Sequence, residues 1–342
     1  METFQIRILP FDHQIGCKQG QSLLAAILEQ GRYVRYGCKN GGCGSCKVRL
    51  VDGDIDQGGS PLALSPSERA EGYALLCTSV PLSDCTVDAS VMDLTQDEFA
   101  AGDQTLTFLA ELECKEALAP DIRRLYLRLV EPASIKFTAG QFVNVDLPGS
   151  REFRSYSMAN PPSDRHHIEL VVKLMRGGVF SSYLECELKA GDRLRLSGPF
   201  GRLKIHLSYR SIVAIAGGSG MAPIISMLTD LAQKDNSRPV TFLFGARREQ
   251  DLYFLDRLES LRKSMPALET VLALSDERPP GWHGETGLVT EVLARRMSTL
   301  KSYDAYLCGP PMMIEAAIPL LIKSGVRERN IYFDAFVPSG AR

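Results

Sequence analysis

The sequence predicts a multidomain chain: a small α+β unit, then an antiparallel β-barrel, then an α/β domain with a parallel sheet. Three observations carry this. The chain has 342 residues, and single hydrophobic cores usually stop growing at roughly 250 residues. A loop rich in glycine and cysteine, Gly37 to Cys46, lies between a helical stretch and a strand-like one. Beyond Arg210 the apolar rhythm changes from short alternating runs to continuous apolar strands separated by helical stretches.

The first unit reads as strand Phe4 to Leu9, helix Ser22 to Gln30, the cysteine loop, and strand Lys47 to Val51 closed by Asp52-Gly53. Ser65-Pro66-Ser67-Glu68 has a capping oxygen, a proline at the first helical position and a carboxylate three residues on, so a short helix should begin there. Val91 to Gln104 is acidic and lacks periodicity, which marks a linker. Thr105 to Glu113, Ile122 to Leu129, Gln141 to Asp146, Ile168 to Lys173 and Arg193 to Ser197 alternate between turn residues, the signature of an antiparallel barrel, with one helix after Ser181. Apolar strands Ile212 to Ala216, Val240 to Phe244, Thr270 to Leu274 and Ala305 to Cys308 then alternate with helices Ile224 to Gln233, Leu255 to Lys263 and Met313 to Lys323.

Composition narrows the partners. A net charge of -2 with acids and bases interspersed provides no basic face for nucleic acid and no polybasic segment for an anionic membrane. The N-terminus alternates polar and apolar residues without the basic start of a secretory signal, and no apolar run approaches the ~20 residues of a membrane span. The expected location is the cytoplasm. Nine cysteines, four of them gathered by spacing, fit a reducing compartment and a metal site better than a disulfide framework.

Cys38, Cys43 and Cys46 form C-x4-C-x2-C, and Cys77 follows after 30 intervening residues. This is the plant-type [2Fe-2S] spacing. Glycines at 41, 42 and 44 let the loop wrap closely with its amides turned towards sulfur. The competing reading is a four-cysteine zinc site, but zinc modules usually pair cysteines as C-x2-C twice, and that pattern is absent. Cys17, Cys85, Cys114 and Cys186 have no companion spacing and are expected to be structural.

Arg154-Ser155-Tyr156-Ser157 lines up a cation, an aromatic ring and a hydroxyl on a barrel strand, and Gly177-Gly178-Val179-Phe180-Ser181-Ser182 follows. An arginine binds pyrophosphate, a tyrosine stacks on a flat ring, and glycine before a helix start exposes amides to phosphate; a plain helix cap is the alternative. Gly217-Gly218-Ser219-Gly220-Met221-Ala222-Pro223 follows an apolar strand and opens a helix, the setting in which a glycine turn meets a dinucleotide pyrophosphate. Pro223 stands where a Rossmann turn has its third glycine. Cys308-Gly309-Pro310-Pro311 ends a later strand. Gly-Pro-Pro also serves simply to stop a strand and start a helix.

Taken in order, these four segments resemble the ferredoxin-NADP reductase family, and the whole chain resembles the three-domain reductase components of bacterial multicomponent oxygenases, above all soluble diiron monooxygenase reductases of the methane or propane type. Asp52-Gly53-Asp54-Ile55-Asp56, Ala74-Leu75-Leu76-Cys77 and Phe336-Val337-Pro338-Ser339-Gly340 resemble that subgroup. The resemblance implies a β-grasp-like [2Fe-2S] ferredoxin domain over 1–95, a linker over 96–103, a FAD-binding β-barrel domain over 104–206 and an NAD(P)-binding α/β domain over 207–342. It implies that Arg154 binds the FAD pyrophosphate, Tyr156 stacks on the isoalloxazine, Ser157 lies near its N5, and Gly178, Ser181 and Ser182 complete the phosphate site. Phe336 would cover the other flavin face, with a core aromatic as the alternative. Gly217, Gly218 and Gly220 would hold the nucleotide, and Cys308, Gly309 and Pro310 would lie beside the nicotinamide, Ser157 and Cys308 being nearest the chemistry.

Arg247 and Arg248 after the second parallel strand suit a 2'-phosphate, whereas Glu249 and Asp251 repel one; the resemblance implies NADH rather than NADPH. The acceptor implied is the hydroxylase component of an oxygenase; nearness to the cluster cysteines and local charge point to docking around Ser45 and the acidic Asp52 to Asp56 turn. An aromatic-ring dioxygenase or a deoxygenating system would use the same domain order, and a non-enzymatic metal-binding module is the remaining alternative. The five histidines show neither metal spacing nor a nucleophile partner and are expected at the surface.

Overall fold

A computed structural model describes residues 2–59, 63–103, 105–150, 152–234, 237–276 and 279–337. The chain forms two compact units. One comprises residues 1–106 with 200–202 and 337–342, and the other comprises 107–199 with 203–336.

The first unit is built on a five-stranded sheet of order β2-β1-β7-β3-β5. Its strands are β1 (Thr3–Leu9), β2 (His13–Lys18), β3 (Lys47–Asp52), β5 (Tyr73–Leu75) and β7 (Cys85–Asp88), while β4 (Ile55–Asp56) and β6 (Val80–Pro81) make a separate pair. β1 and β7 run parallel and the other pairs antiparallel. Helix α1 (Leu23–Glu29) starts at Ser22, whose hydroxyl accepts from Ala25 N–H, and buries Leu23, Leu24, Ala26 and Ile27. The expected capping box forms: Ser65 and Glu68 cap one another's backbone at α2 (Pro66–Ala70). The stretch expected as a linker departs from that reading. It carries α3 (Gln96–Ala100), closed by a second capping box between Thr95 and Glu98, and Phe99 buries its ring against Phe11 at 4.1 Å.

In the second unit, six antiparallel strands follow the order β11-β10-β13-β8-β9-β12. They are β8 (Thr107–Ala119), β9 (Ile122–Glu131), β10 (Phe142–Asp146), β11 (Phe153–Ser157), β12 (His167–Lys173) and β13 (Arg193–Phe200). A bridge between Met158 and Leu170 brings the end of β11 to β12 and closes the barrel. Its interior holds Phe108, Leu125, Val143, Met158, Leu170 and Leu196 with Leu184 of helix α4 (Val179–Cys186).

The same unit continues into a six-stranded parallel sheet of order β17-β16-β15-β14-β18-β19. Its strands are β14 (Ser211–Gly217), β15 (Val240–Ala246), β16 (Leu268–Leu274), β17 (Glu285–Thr286), β18 (Tyr303–Gly309) and β19 (Ile331–Ala335). Helices α5 (Met221–Gln233), α6 (Leu255–Ser264), α7 (Val289–Arg296) and α8 (Pro311–Lys323) connect them. β14 reads Ser-Ile-Val-Ala-Ile-Ala-Gly because both of its faces are covered. Strand order reverses between β14 and β18, and in such sheets ligands lie in the crevice beyond the carboxyl ends of the strands at that point. One hydrophobic core joins the barrel to this sheet through Ala119, Ile122, Ala139, Ala159 and Val171.

Candidate functional site

The cysteine loop turns through left-handed backbone at Lys39, Gly41 and Gly44, which brings Cys38, Cys43 and Cys46 to one end of β3. Cys77 arrives just after β5, its position fixed by Leu76 N–H donating to Cys46 carbonyl at 3.0 Å. The thiols perturb one another's protonation. Hydrogen bonding with Cys43 draws Cys38 below its ordinary pKa and pushes Cys43 well up; hydrogen bonding with Cys77, then burial, pushes Cys46 well up. Among the described residues no trio of histidine, cysteine or carboxylate side chains converges as a single-ion site. Four neighbouring thiols suit a binuclear iron-sulfur cluster, which they would hold as thiolates. Ser45, expected at the docking surface, is 2% exposed, and its hydroxyl accepts from the Cys43 thiol at 3.4 Å. The loop's own packing claims it, while Asp52, Asp54 and Asp56 of the neighbouring turn are exposed.

On β11, residues alternate between faces, so Arg154 and Tyr156 share one face and Ser155 and Ser157 the other. Arg154 is held by the Glu152 carboxylate at 3.1 Å and the Phe153 carbonyl at 2.8 Å. The Tyr156 ring packs at 5.4 Å from Phe180 of α4, and burial pushes its phenol up against the pull of Arg154. Ser157 is buried. Gly178 caps the start of α4 without a side chain, Ser181 Oγ accepts from Met175 N–H at 2.8 Å, and Ser182 is exposed.

The glycine turn and the Cys-Gly-Pro segment end adjacent strands, with Ala216 and Cys308 in register. A Cβ on Gly220 would meet the Cys308 carbonyl oxygen at 2.0 Å, and one on Gly309 would meet that of Gly217 at 2.6 Å, whereas Gly218 faces open space. The turn is therefore a cradle: closed behind by β18 and open in front, as a pyrophosphate needs. Tyr253 O–H donates to the Gly218 carbonyl at 2.8 Å and fixes the turn from below. Cys308 is fully buried, and burial followed by the charge of Asp334 pushes its thiol well up, so it stays neutral. Pro310 is exposed at the start of α8, and Phe336 N–H donates to the Gly309 carbonyl at 2.9 Å, which brings its half-buried ring beside the same strand end. Pro338, Ser339 and Gly340 lie outside the described residues. Arg247 faces Asp121 at 3.7 Å and Asp251 at 4.0 Å, and Arg248 faces Asp276 at 3.7 Å. Asp121 and Asp276 are partners that sequence reading missed, since each lies far along the chain.

Comparison with known proteins gives three family matches in chain order: a 2Fe-2S iron-sulfur cluster binding domain over residues 6–82, an oxidoreductase FAD-binding domain over 109–205 and an oxidoreductase NAD-binding domain over 214–318. The chain is 34% identical to the reductase component of propane 2-monooxygenase from Mycolicibacterium goodii, covering 98% of this chain and 97% of that one. It is 36% identical to the phenol 2-monooxygenase reductase component DmpP of Pseudomonas sp. (strain CF600), covering 98% and 94%. Among solved structures, the cytochrome P450 reductase GcoB of Amycolatopsis superposes with a TM-score of 0.74 at 33% identity over 98% of this chain and 99% of that one. FAD, NADH and a [2Fe-2S] cluster are thus the groups its domains bind. Likeness over nearly the full length, at this identity, means that the chain belongs to the family of NAD- and FAD-binding, 2Fe-2S oxidoreductases that includes the reductase components of bacterial monooxygenases.

Proposed function

We propose that this protein is the NADH-dependent reductase component of an oxygenase system and that its acceptor is a diiron monooxygenase hydroxylase. The observation that carries the reading is the left-handed loop that gathers Cys38, Cys43 and Cys46, tied to the segment of Cys77, in the same chain as a nucleotide cradle at the switch point of a parallel sheet. FAD bound here would supply the chemistry that links two-electron hydride transfer from a nicotinamide to one-electron transfer to a cluster.

The chain's residues hold and orient. Cys38, Cys43, Cys46 and Cys77 are the proposed cluster ligands. Arg154 and Tyr156, on one face of β11, are placed to take the pyrophosphate and the flat ring of FAD, with Gly178 leaving the α4 amides open to phosphate. Gly217, Gly218 and Gly220 take the nucleotide, and Cys308, neutral and buried, lines the strand end beside it. Each arginine after β15 already faces a carboxylate, and those carboxylates disfavour a 2'-phosphate, which supports NADH over NADPH. The exposed acidic turn from Asp52 to Asp56 is the proposed docking surface.

An anaerobic titration tests the reading. NADH should bleach the flavin and cluster absorbance with two electrons per nucleotide, NADPH should do so far less effectively, and the reduced protein should pass electrons to a diiron hydroxylase. Bands that NADH leaves intact would remove the reading; delivery to a ring-hydroxylating dioxygenase but not to a diiron protein would reassign the acceptor.

A further inference from the structure

Glu169 lies on β12 of the barrel with its side chain only 3% exposed. Arg124 of β9 donates to it through Nε at 2.6 Å. Arg257 of α6, in the nucleotide domain, donates through both terminal nitrogens at 2.8 and 2.9 Å. This two-pronged bond fixes direction as well as distance. Nearby, the barrel and the helices leave a cavity of about 550 Å³, lined by Asp164, Gln233, Asp256 and Ser260 among others. Beside the apolar core that joins barrel and sheet, directional bonds therefore help to set the geometry here.

Both ends of the Glu169–Arg257 bond lead to a cofactor segment. On the barrel side, Ala159 N–H donates to the Glu169 carbonyl at 2.8 Å and Met158 bridges Leu170, directly after Ser157 of the flavin strand. Glu169 N–H donates to Asn160 Oδ1 at 2.9 Å, and the Asn160 carbonyl accepts from Ser226 Oγ of α5 at 2.7 Å. On the nucleotide side, the Arg257 guanidinium sits 4.2 Å from the centre of the Phe254 ring. Phe254 has φ +58, a left-handed conformation unfavourable for a bulky aromatic residue. That turn sends the Phe254 ring towards Arg257 while its neighbour Tyr253 holds the Gly218 carbonyl. A continuous bonded path thus runs from the strand proposed to carry the flavin to the turn proposed to carry the nucleotide.

We infer that Glu169 and Arg257 form a positioning strut that sets how the bound nicotinamide approaches the flavin, an inference that rests on the proposed function. A misplacement of about 1 Å between reacting groups can slow a reaction by about 100-fold, so a strut at this junction governs rate more than affinity.

The test uses the full-length protein carrying flavin and cluster, with Arg257→Met, which keeps the apolar contact to Phe254 and leaves Glu169 paired with Arg124. In rapid mixing with saturating NADH, flavin bleaching is expected to slow by about 10- to 100-fold while the NADH concentration at half-saturation stays within about threefold. The long-wavelength charge-transfer absorbance of nicotinamide on flavin should weaken, and amide exchange in the 217–223 turn should quicken without nucleotide. Arg257→Lys, with one point charge in place of a fork, should restore only part of the rate, and Glu169→Gln combined with Arg257→Met should be no slower than the slower single variant. Variants that melt earlier but bleach as fast, with an unchanged charge-transfer band, would overturn the strut. A wild-type flavin that NADH does not bleach would instead overturn the function on which it rests.

Discussion

The carbonyl oxygen of Cys308 lies 2.0 Å from the place where a Cβ on Gly220 would stand. The clash is with backbone, and Cys308 is held in a parallel pair on either side, with β14 and β19. Gly220 has an ordinary φ of -61, so contact alone demands glycine there. Gly220→Ala is expected to cost about 3 kcal/mol by overpacking and to abolish bleaching by NADH. Gly218 has φ +54 with nothing within 4 Å, so Gly218→Ala should cost only about 1 kcal/mol of backbone strain. Urea denaturation of the two variants decides the matter; equal midpoints would refute the close-approach argument.

The four proposed cluster cysteines make a separate prediction. Cys43→Ser should strip iron and sulfide from the protein and remove the cluster bands, while the flavin bands, which depend on the other unit, remain. Cys17, buried on β2 and outside the C-x4-C-x2-C spacing, serves as the control, and Cys17→Ala should leave the iron content unchanged. Metal analysis checks both variants. Stoichiometric zinc in a colourless first unit would return the four cysteines to a zinc site.

Where a signal was local, the sequence carried it. The Ser65–Glu68 capping box and the apolar run of β14 each lie within a few residues, and each forms as read. The helix Gln96–Ala100 escaped because five residues offer no visible period and Phe99 is its one buried side chain, although Thr95 and Glu98 already spelled a capping box. Ser45 was expected at the docking surface for its nearness to the cluster cysteines, and only folding turns it onto Cys43. Cys114 and Cys186 are exposed, contrary to the structural role expected for them, while Cys17 and Cys85 are buried. The bond from Glu169 to Arg257 spans 88 residues and two domains, a separation that no periodicity or spacing rule bridges.

Tyr156 separates a ring from a phenol. Burial pushes its hydroxyl up, so it remains protonated through the physiological range, and no charged form is available to the flavin. The face it shares with Arg154 and its packing on Phe180 leave the ring as the working part. Tyr156→Phe should retain close to one FAD per chain through gel filtration, while Tyr156→Ala should lose most of it, a drop in affinity of roughly 10- to 100-fold for one lost aromatic stack. Flavin absorbance against protein absorbance measures both. Equal loss from the two variants would assign the binding to the hydroxyl instead.

His206 should make stability depend on pH between the histidine and carboxylate ranges. Its imidazole stacks on Tyr332 at 4.2 Å, and burial, then the charge of Lys204, lowers its pKa, with Asp304 opposing. The unfolded chain therefore binds its proton at higher pH than the folded chain does. Stability rises with pH wherever the unfolded state holds more protons. The contribution is accordingly present above about pH 6.5, the unfolded value, and is lost as pH falls below it. His13, lowered by burial and by Arg32, acts in the same direction in the other unit. The melting temperature should drop between pH 7.5 and 5.5, well before carboxylates titrate near about pH 4. His206→Gln should begin lower, having lost the stack, yet show a shallower drop, because the substituted side chain takes up no proton in either state. An unchanged slope in that variant would mean that the pH dependence arises elsewhere.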